Sequence, residues 1–508
     1  MLTDLNVLRV LPKYFKSFIL LVFAWVYSLQ TYAAYFEYTP KLKEIQIHIA
    51  SLRLKKANLA LEEELAKQPD NIAVHYLIHY STFFHIMVQQ DKKLLPEFEK
   101  VNNELLILVQ KLPDDSPYKR FIKGSVYLQA AFVKGAFNEY LSAAWDFRNA
   151  YHEVNANEKK FPNFSGHKKE LGALMALIGS FPPQYHWVVN VAGLEGDFQK
   201  GLKILEDYLK LGSSEPMLEQ QQASTIYTLI LLNFSQDKNK AWSYYKNASA
   251  DYKNNLMHCY VRAYTAGKCG ENDIALATLR ARPIGSDYEN ITYFNLLMGD
   301  YLLHQLDVSA AIWYKKYIAF STTKGSVKDA YQKLSWIAWL QNDTNKFIIY
   351  HDLMAKNTKD AGSELKLVNT DLAKGIFPSK SLLEARVLFD GGYYERAQEI
   401  LVSLRSDKLP SKYQCIELEY RIARVLQEQK RYTDALSHFK KCLDLGMGVN
   451  TYLLPNSCLQ IGLIYEHLNY PSIAKTYYEK VSSYHHVDYE SSMGQKAKTN
   501  IWRIKKSE

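Results

Sequence analysis

Along most of the chain the apolar positions recur at i, i+3, i+4 and i+7, the spacing of one face of an α-helix. Tyr76, Leu77, Tyr80, Phe83, Phe84 and Met87 form one such face, and Leu202, Leu205, Tyr208 and Leu209 another. Gly-bounded alternating runs, which would mark half-buried strands, are missing. The pattern predicts an all-α chain of helices, each roughly 12–16 residues long, joined by short polar turns. One amphipathic hairpin cannot bury its own face, so the hairpins must stack.

An internal repeat sharpens this expectation. Residues 385–401, 423–439 and 462–478 align on a small residue in one helix, a second small residue twelve positions later, and a bulky residue four beyond that. The small pairs are Ala385/Ala397, Ala423/Ala435 and Gly462/Ala474, and the bulky followers are Leu401, Phe439 and Tyr478. Small residues allow helices A and B to approach closely, and the bulky residue is expected to fill the gap against the next repeat. The arrangement resembles the tetratricopeptide repeat, whose usual period is ~34 residues. Here Ala397, Ala435 and Ala474 lie 38 and then 39 residues apart, which predicts longer loops. Weaker copies occupy residues 298–318, with Gly299, Ala310 and Tyr314, and residues 54–69, with Ala57, Leu61 and Pro69. Residues 260–282 and 331–355 read as hairpins with degenerate signatures. The resemblance implies a tetratricopeptide-repeat-like superhelix (α-solenoid).

Residues 17–36 carry no charge, and Phe18–Leu29 is their apolar heart. That length suits a signal peptide and is short for a span of ~20 residues. Arg9, Lys13 and Lys16 precede it, and Ala33 and Ala34 provide small residues for cleavage. Residues 1–34 are therefore expected to be an export leader, with an uncleaved anchor as the alternative. Helical repeats then fill 35–160, an apolar Pro/Gly-interrupted hairpin 161–212, degenerate repeats 213–375, and the clear repeats 376–508. A periplasmic or similar lumen is the expected location.

Within 161–212, the apolar stretches Leu171–Phe181 and Trp187–Leu194 flank Pro182 and Pro183, which end a helix. Leu171-Gly172-Ala173, Ser180-Phe181-Pro182, Gly193, Gly196-Asp197 and Gly201-Leu202 resemble the Iml2 / tetratricopeptide repeat protein 39 family. Tyr452-Leu453-Leu454-Pro455, Ile461-Gly462-Leu463-Ile464-Tyr465 and Asp488-Tyr489-Glu490-Ser491 are similar to its C-terminal end. An export leader departs from that family's familiar intracellular members and points to an exported bacterial relative. The resemblance implies the fold and no known active site. The segment itself reads either as a buried, proline-kinked hairpin or as the wall of an apolar groove.

Composition narrows the function classes. Apolar residues make up 47% and charged residues 23% of the 508 positions, an ordinary globular balance. The net charge of +9 is spread along helices rather than gathered in an arm, which argues against nucleic-acid binding. The five cysteines, Cys259, Cys269, Cys415, Cys442 and Cys458, form no CxxC and read as small buried residues. His75 and His79 have a metal-compatible i, i+4 spacing but lack the glutamate of a HExxH helix, and their apolar neighbours favour packing. His485 and His486 read as a loop end. No nucleophile elbow, P-loop or dinucleotide fingerprint occurs. No enzyme activity, cofactor or metal is expected.

The tetratricopeptide resemblance implies a concave face lined by helix A. Counting from its small residue selects Ser379, Leu382, Arg386 and Phe389, then Glu417, Tyr420, Arg424 and Gln427, then Asn456, Leu459, Leu463 and Glu466. Arg386 and Arg424 occupy the same offset in consecutive repeats, where two guanidinium forks beside Phe389 and Tyr420 could clamp a carboxylate. The alternative is a pair of ordinary solvated arginines. The sequence thus reads as a non-enzymatic scaffold capturing a protein or peptide, with Arg386, Phe389, Tyr420, Arg424, Gln427, Asn456 and Glu466 as its groove. A carrier of an apolar ligand or lipid, using residues 161–212, is the alternative, and residues 17–36 could hold the protein near a membrane.

Overall fold

The computed structural model describes residues 34–181, 193–211, 217–235, 238–247, 251–322, 325–358 and 362–507. The expected leader, the double proline and most of the apolar stretch Trp187–Leu194 lie outside the described residues. Among the described residues the chain is helical, and its sole β feature is an isolated bridge between Tyr35 and Asn71.

The N-terminal third holds α1 (Pro40–Ala50), α2 (Leu54–Lys67), α3 (Ile72–Gln89), α4 (Leu95–Val109), α5 (Pro117–Ala136) and α6 (Tyr140–Lys160). The 161–212 segment contributes α7 (Lys168–Gly179) and α8 (Phe198–Lys210). The centre comprises α9 (Met217–Phe234), α10 (Lys238–Asn247), α11 (Leu256–Lys268), α12 (Asn272–Arg280), α13 (Tyr293–His304), α14 (Ala310–Phe320), α15 (Gly325–Leu340) and α16 (Thr344–Lys356). A lone helix, α17 (Ser363–Ala373), precedes the clear repeats. These are α18 (Lys380–Asp390) with α19 (Tyr394–Val402), α20 (Lys412–Glu428) with α21 (Tyr432–Leu445), and α22 (Leu453–His467) with α23 (Pro471–Val481). The helix α24 (Glu490–Ser507) follows, and its Met493, Ala497 and Ile504 extend the last core.

Helix lengths run beyond the expected range, from 9 residues in α19 to 21 in α6. The turns inside the hairpins are more uniform. A residue with positive φ ends helix A at Asn138, Gly270, Leu306, Asn342, Gly392, Lys430 and Asn469. The next amide then bonds back five residues, as in Tyr393 to Leu388 (3.0 Å), Arg431 to Leu426 (2.8 Å) and Asp307 to Leu302 (3.0 Å). This is the Schellman closure, which satisfies the last carbonyls of helix A and reverses the chain. Only two of these seven positions are glycine, so the other side chains are held in a disfavoured backbone region.

The small-and-bulky signature produces close contacts within the hairpins. A Cβ on Gly462 would run into the ring of Tyr478, and one on Gly299 would meet the Tyr314 ring at 2.8 Å. In these two hairpins the bulky residue of helix B therefore lies over the small residue of helix A. The tyrosine hydroxyls complete the contact, Tyr478 donating to Glu466 (2.8 Å) and Tyr314 to Asp300 (2.7 Å). The glycines of the 161–212 motif act similarly. A Cβ on Gly172 would meet the Gly201 carbonyl oxygen at 3.0 Å, and one on Gly201 would enter the backbone of Ala176. The α7–α8 crossing is thus backbone against backbone.

The accumulated rotation of the hairpins brings chain segments 200 or more residues apart into contact. Arg53 pairs with Asp287, and Gln89 Nε2 donates to Glu289 at 2.7 Å. His85 Nδ1 lies 3.4 Å from the same Glu289 carboxylate, and the Glu289 amide donates to the Leu52 carbonyl at 2.8 Å. Thr322 donates to the Gln89 carbonyl at 2.9 Å. This seam closes the N-terminal helices onto the centre of the superhelix.

Two predictions follow from the turns and the crossings. Lys430→Gly should stabilise the α20–α21 hairpin by about 1 kcal/mol, because glycine tolerates positive φ. Gly462→Val should destabilise α22–α23 by about 1–3 kcal/mol through overpacking against Tyr478. Hydrogen exchange resolved to each hairpin is the measurement, since repeat arrays unfold in parts.

Candidate functional site

The residues expected to line a groove lie on the clear C-terminal repeats, and a separate cavity lies behind the seam. Among the former, Arg386 on α18 lies with its guanidinium carbon 4.7 Å from the Trp336 ring centre, and its Nη1 is 3.3 Å from Glu364 Oε1. Tyr413 donates to the same Glu364 oxygen at 3.1 Å. Arg424 on α20 lies 5.2 Å from the Phe389 ring centre and pairs with Glu428 at 3.3 Å. Its Nε is buried with no hydrogen-bond partner among the described residues. Stacking on aromatic faces holds each guanidinium plane and leaves its edges available for hydrogen bonding.

The remaining expected groove residues divide into several roles. Asn456 Nδ2 donates to the Tyr420 hydroxyl (2.9 Å), Gln460 to Asn456 (3.1 Å) and Gln427 to Gln460 (3.0 Å), a ladder from α20 to α22. Glu417 pairs with Arg421 at 2.9 Å, an arginine that lies outside the offset count. Ser379 accepts from the Leu382 amide and caps α18. Leu382 and Leu459 are core residues. Glu466 is engaged by Tyr478 and by Arg503 of α24, so the structure places it at the end of the array.

The unforeseen element is α17. Its Leu367 and Val368 pack on the C-terminal core, its Glu364 meets Arg386 and Tyr413, and the Asp488 carboxylate accepts from the Glu364 amide at 2.7 Å and from Ser363 Oγ at 3.0 Å. Of its eleven residues only Ser363 is buried. A helix of this chain therefore already pairs with Arg386 and Tyr413. No repeat signature marks α17, which is why the periodicity did not reveal it.

Behind the seam lies a cavity of about 790 Å³, within the usual range of ligand pockets. Tyr80, Phe84 and Met87 of α3, Leu128 and Phe132 of α5, and Leu177 of α7 contribute to its wall. The 161–212 segment thus supplies one side of the cavity through α7.

The histidines singled out by spacing are otherwise employed. His79 is buried beside Phe98 and bonds Asn102 at 3.1 Å, and burial pushes its pKa down to about 4. His75 bonds the Pro69 carbonyl at 2.8 Å, and His485 lies 3.2 Å from Glu490. Among the described residues no cluster of His, Cys, Asp and Glu could hold a metal ion. Cys259, Cys442 and Cys458 are buried, and burial pushes the Cys259 thiol up to about 12.

Residues 455–484, which span α22 and α23, match the tetratricopeptide repeat family. The fold is a tetratricopeptide-repeat superhelix. No curated protein matches the chain. Among solved structures, the chain is similar to a human IFIT1 dimer with m7Gppp-AAAA, at 13% identity over 89% of this chain and 96% of that one, with a TM-score of 0.30. It is also similar to yeast Tom70, at 13% identity over 91% and 87% with a TM-score of 0.24. The P58(IPK) TPR domain aligns at 13% identity over 82% and 96% with a TM-score of 0.21. Tetratricopeptide-repeat superhelices present extended concave surfaces and serve in general as protein-interaction scaffolds.

The seam that bounds the cavity should respond to pH. The hydrogen bond to Glu289 raises the His85 pKa above 6.5 against the opposing effect of burial. Burial pushes the Glu289 carboxyl up, but hydrogen bonds from His85 and Gln89 outweigh it and hold the group below 4.5. The His85 contribution is full below its unfolded pKa of about 6.5 and is lost as pH rises through the raised value. The Glu289 contribution is present above about 4.5 and is lost as pH falls through the lowered value. Exchange of the Glu289 amide, corrected for intrinsic rate, should therefore be slower at pH 6 than at pH 8. His85→Gln should remove that difference.

Proposed function

We propose that this tetratricopeptide-repeat protein is a non-enzymatic scaffold of the cell envelope that captures a protein partner on the concave face of residues 376–508. The observation that carries the reading is the seating of Glu364, a helical carboxylate, between Arg386 and Tyr413. The groove is complementary to an acidic helical segment, and α17 stands in the position such a segment would take. Arg424, stacked on Phe389 one repeat further along, offers a second fork for a longer partner. The leader expected at residues 1–34 supports the envelope assignment, with export to a periplasm and an uncleaved membrane anchor as its two forms. The motifs similar to the Iml2 / tetratricopeptide repeat protein 39 family support an exported bacterial relative of that family. In α7 and α8 those motifs serve close packing rather than chemistry.

A second reading, carriage of an apolar ligand, is favoured by the cavity that α7 helps to wall.

The groove reading is tested with a labelled peptide spanning residues 363–374 and with crosslinked capture from the native envelope. Glu364→Ala should loosen α17, allow saturable binding of the peptide, and raise capture of the same envelope proteins several-fold over the unmodified chain. Adding Arg386→Gln and Arg424→Gln to that variant should reduce peptide binding about tenfold, the loss expected when charge-assisted hydrogen bonds are removed. Failure of all forms to bind the peptide or enrich any protein would exclude the groove as a capture surface.

A further inference from the structure

Helix α14 carries apolar residues on both of its faces. Ala310, Tyr314 and Tyr317 are buried in the central core. The opposite face presents Ile312, Lys315, Lys316, Ala319 and Phe320 to solvent. At 3.6 residues per turn these five fall within one arc of about 140°. Ile312 is 57% and Phe320 64% exposed, and the two lysines stand between them in sequence.

The same surface continues onto the loop that follows α12. Trp313 meets two cations, with Lys316 Nζ 4.6 Å and the Arg282 guanidinium carbon 5.9 Å from its ring centre. Arg282 is steadied by a hydrogen bond to the Leu279 carbonyl at 2.9 Å. Two residues further on, Ile284 is 82% exposed, and Arg280 is exposed at the end of α12. Arg282 and Trp313 thus join the loop to the helix, and the exposed isoleucines and Phe320 share the surface with four cations.

The charge on this surface has one sign. No acidic residue occurs between Asp273 and Asp287 or between Asp307 and Asp329. Asp287 pairs with Arg53, and Asp307 accepts from the Ser309 amide at 2.8 Å. Among the described residues none of Arg280, Arg282, Lys315 and Lys316 pairs with a carboxylate. An exposed apolar patch rimmed by charge marks an interaction surface. A protein partner would need a hollow for Ile284, another for Phe320, and acids placed opposite each cation. A bilayer interface deforms around each apolar side chain and supplies negative charge throughout. Lysine stems lie along apolar surface while their ammonium groups reach the headgroup level. Among the described residues no helix is long and apolar enough to cross a membrane, so such a contact lies on the bilayer surface.

We propose that this face docks on an anionic lipid bilayer. Ile284, Ile312 and Phe320 enter the interface, and Arg280, Arg282, Lys315 and Lys316 meet lipid phosphates. The inference depends on neither the C-terminal groove nor the cavity.

The test uses the full chain with p-benzoylphenylalanine in place of Phe320, irradiated beside vesicles of phosphatidylglycerol or of phosphatidylcholine. Mass spectrometry should find the probe joined to phosphatidylglycerol, and at least tenfold less adduct with phosphatidylcholine. Lys315→Glu together with Lys316→Glu should lower the phosphatidylglycerol adduct about tenfold or more, since each basic residue near an anionic surface contributes about fivefold to binding. Lys315→Gln with Lys316→Gln removes the charges without reversing them, and serves if the reversal disturbs folding. Ile284→Ser with Ile312→Ser, both at exposed positions, should lower the adduct several-fold at unchanged helical circular dichroism. Absence of lipid adducts overturns the proposal, and adducts with a second copy of the chain instead make the face a self-association surface. Lipid adducts that both lysine variants leave unchanged mean that the chain is held to the vesicle from elsewhere, which also overturns it.

Discussion

Contact between a small residue of helix A and an aromatic ring of helix B is the constraint on which this structure depends. At Gly462 and Tyr478, and again at Gly299 and Tyr314, the ring lies where a Cβ would stand. The contact sets how closely the two helices of a hairpin approach, and the Schellman turn sets how sharply the chain reverses between them. Close-packed interiors admit little variation in such contacts. The 298–318 hairpin shows this well. Its spacing from glycine to tyrosine is one residue shorter than in 462–478, yet both rings seat on their glycines.

Repetition of a nearly constant hairpin produces rotation, and rotation produces long-range contact. The seam of Arg53, His85 and Gln89 against Asp287 and Glu289 follows from it. Its ion pairs are partly shielded from solvent, and their value lies in register more than in net stability. By fixing α1–α3 against the centre, the seam closes one side of the cavity.

The two candidate sites differ in chemistry because their residues differ. Those expected to line the C-terminal groove include guanidinium groups stacked on Trp336 and Phe389, and Arg386 holds a carboxylate from α17. The cavity is lined by aliphatic and aromatic side chains together with the paired Lys169 and Glu170.

The all-α class, the hairpin architecture and the three C-terminal repeats were legible from residue spacing alone. Helix periodicity and the small-to-bulky interval are local properties, written within about 17 residues at a time. The offset count selected Arg386 and Arg424, and the structure stacks Arg424 on Phe389 but Arg386 on Trp336. What the spacing could not reveal was which partner each side chain takes. Glu364, Glu289 and Asp488 meet groups between 22 and 237 positions away, and no local pattern encodes those distances. Only the tertiary structure decided that Arg386 holds a carboxylate from α17, that Glu466 belongs to the α24 junction, and that α3, α5, α7 and α9 enclose one cavity. Each depends on the summed rotation of many hairpins, in which small local angles determine the distant contact.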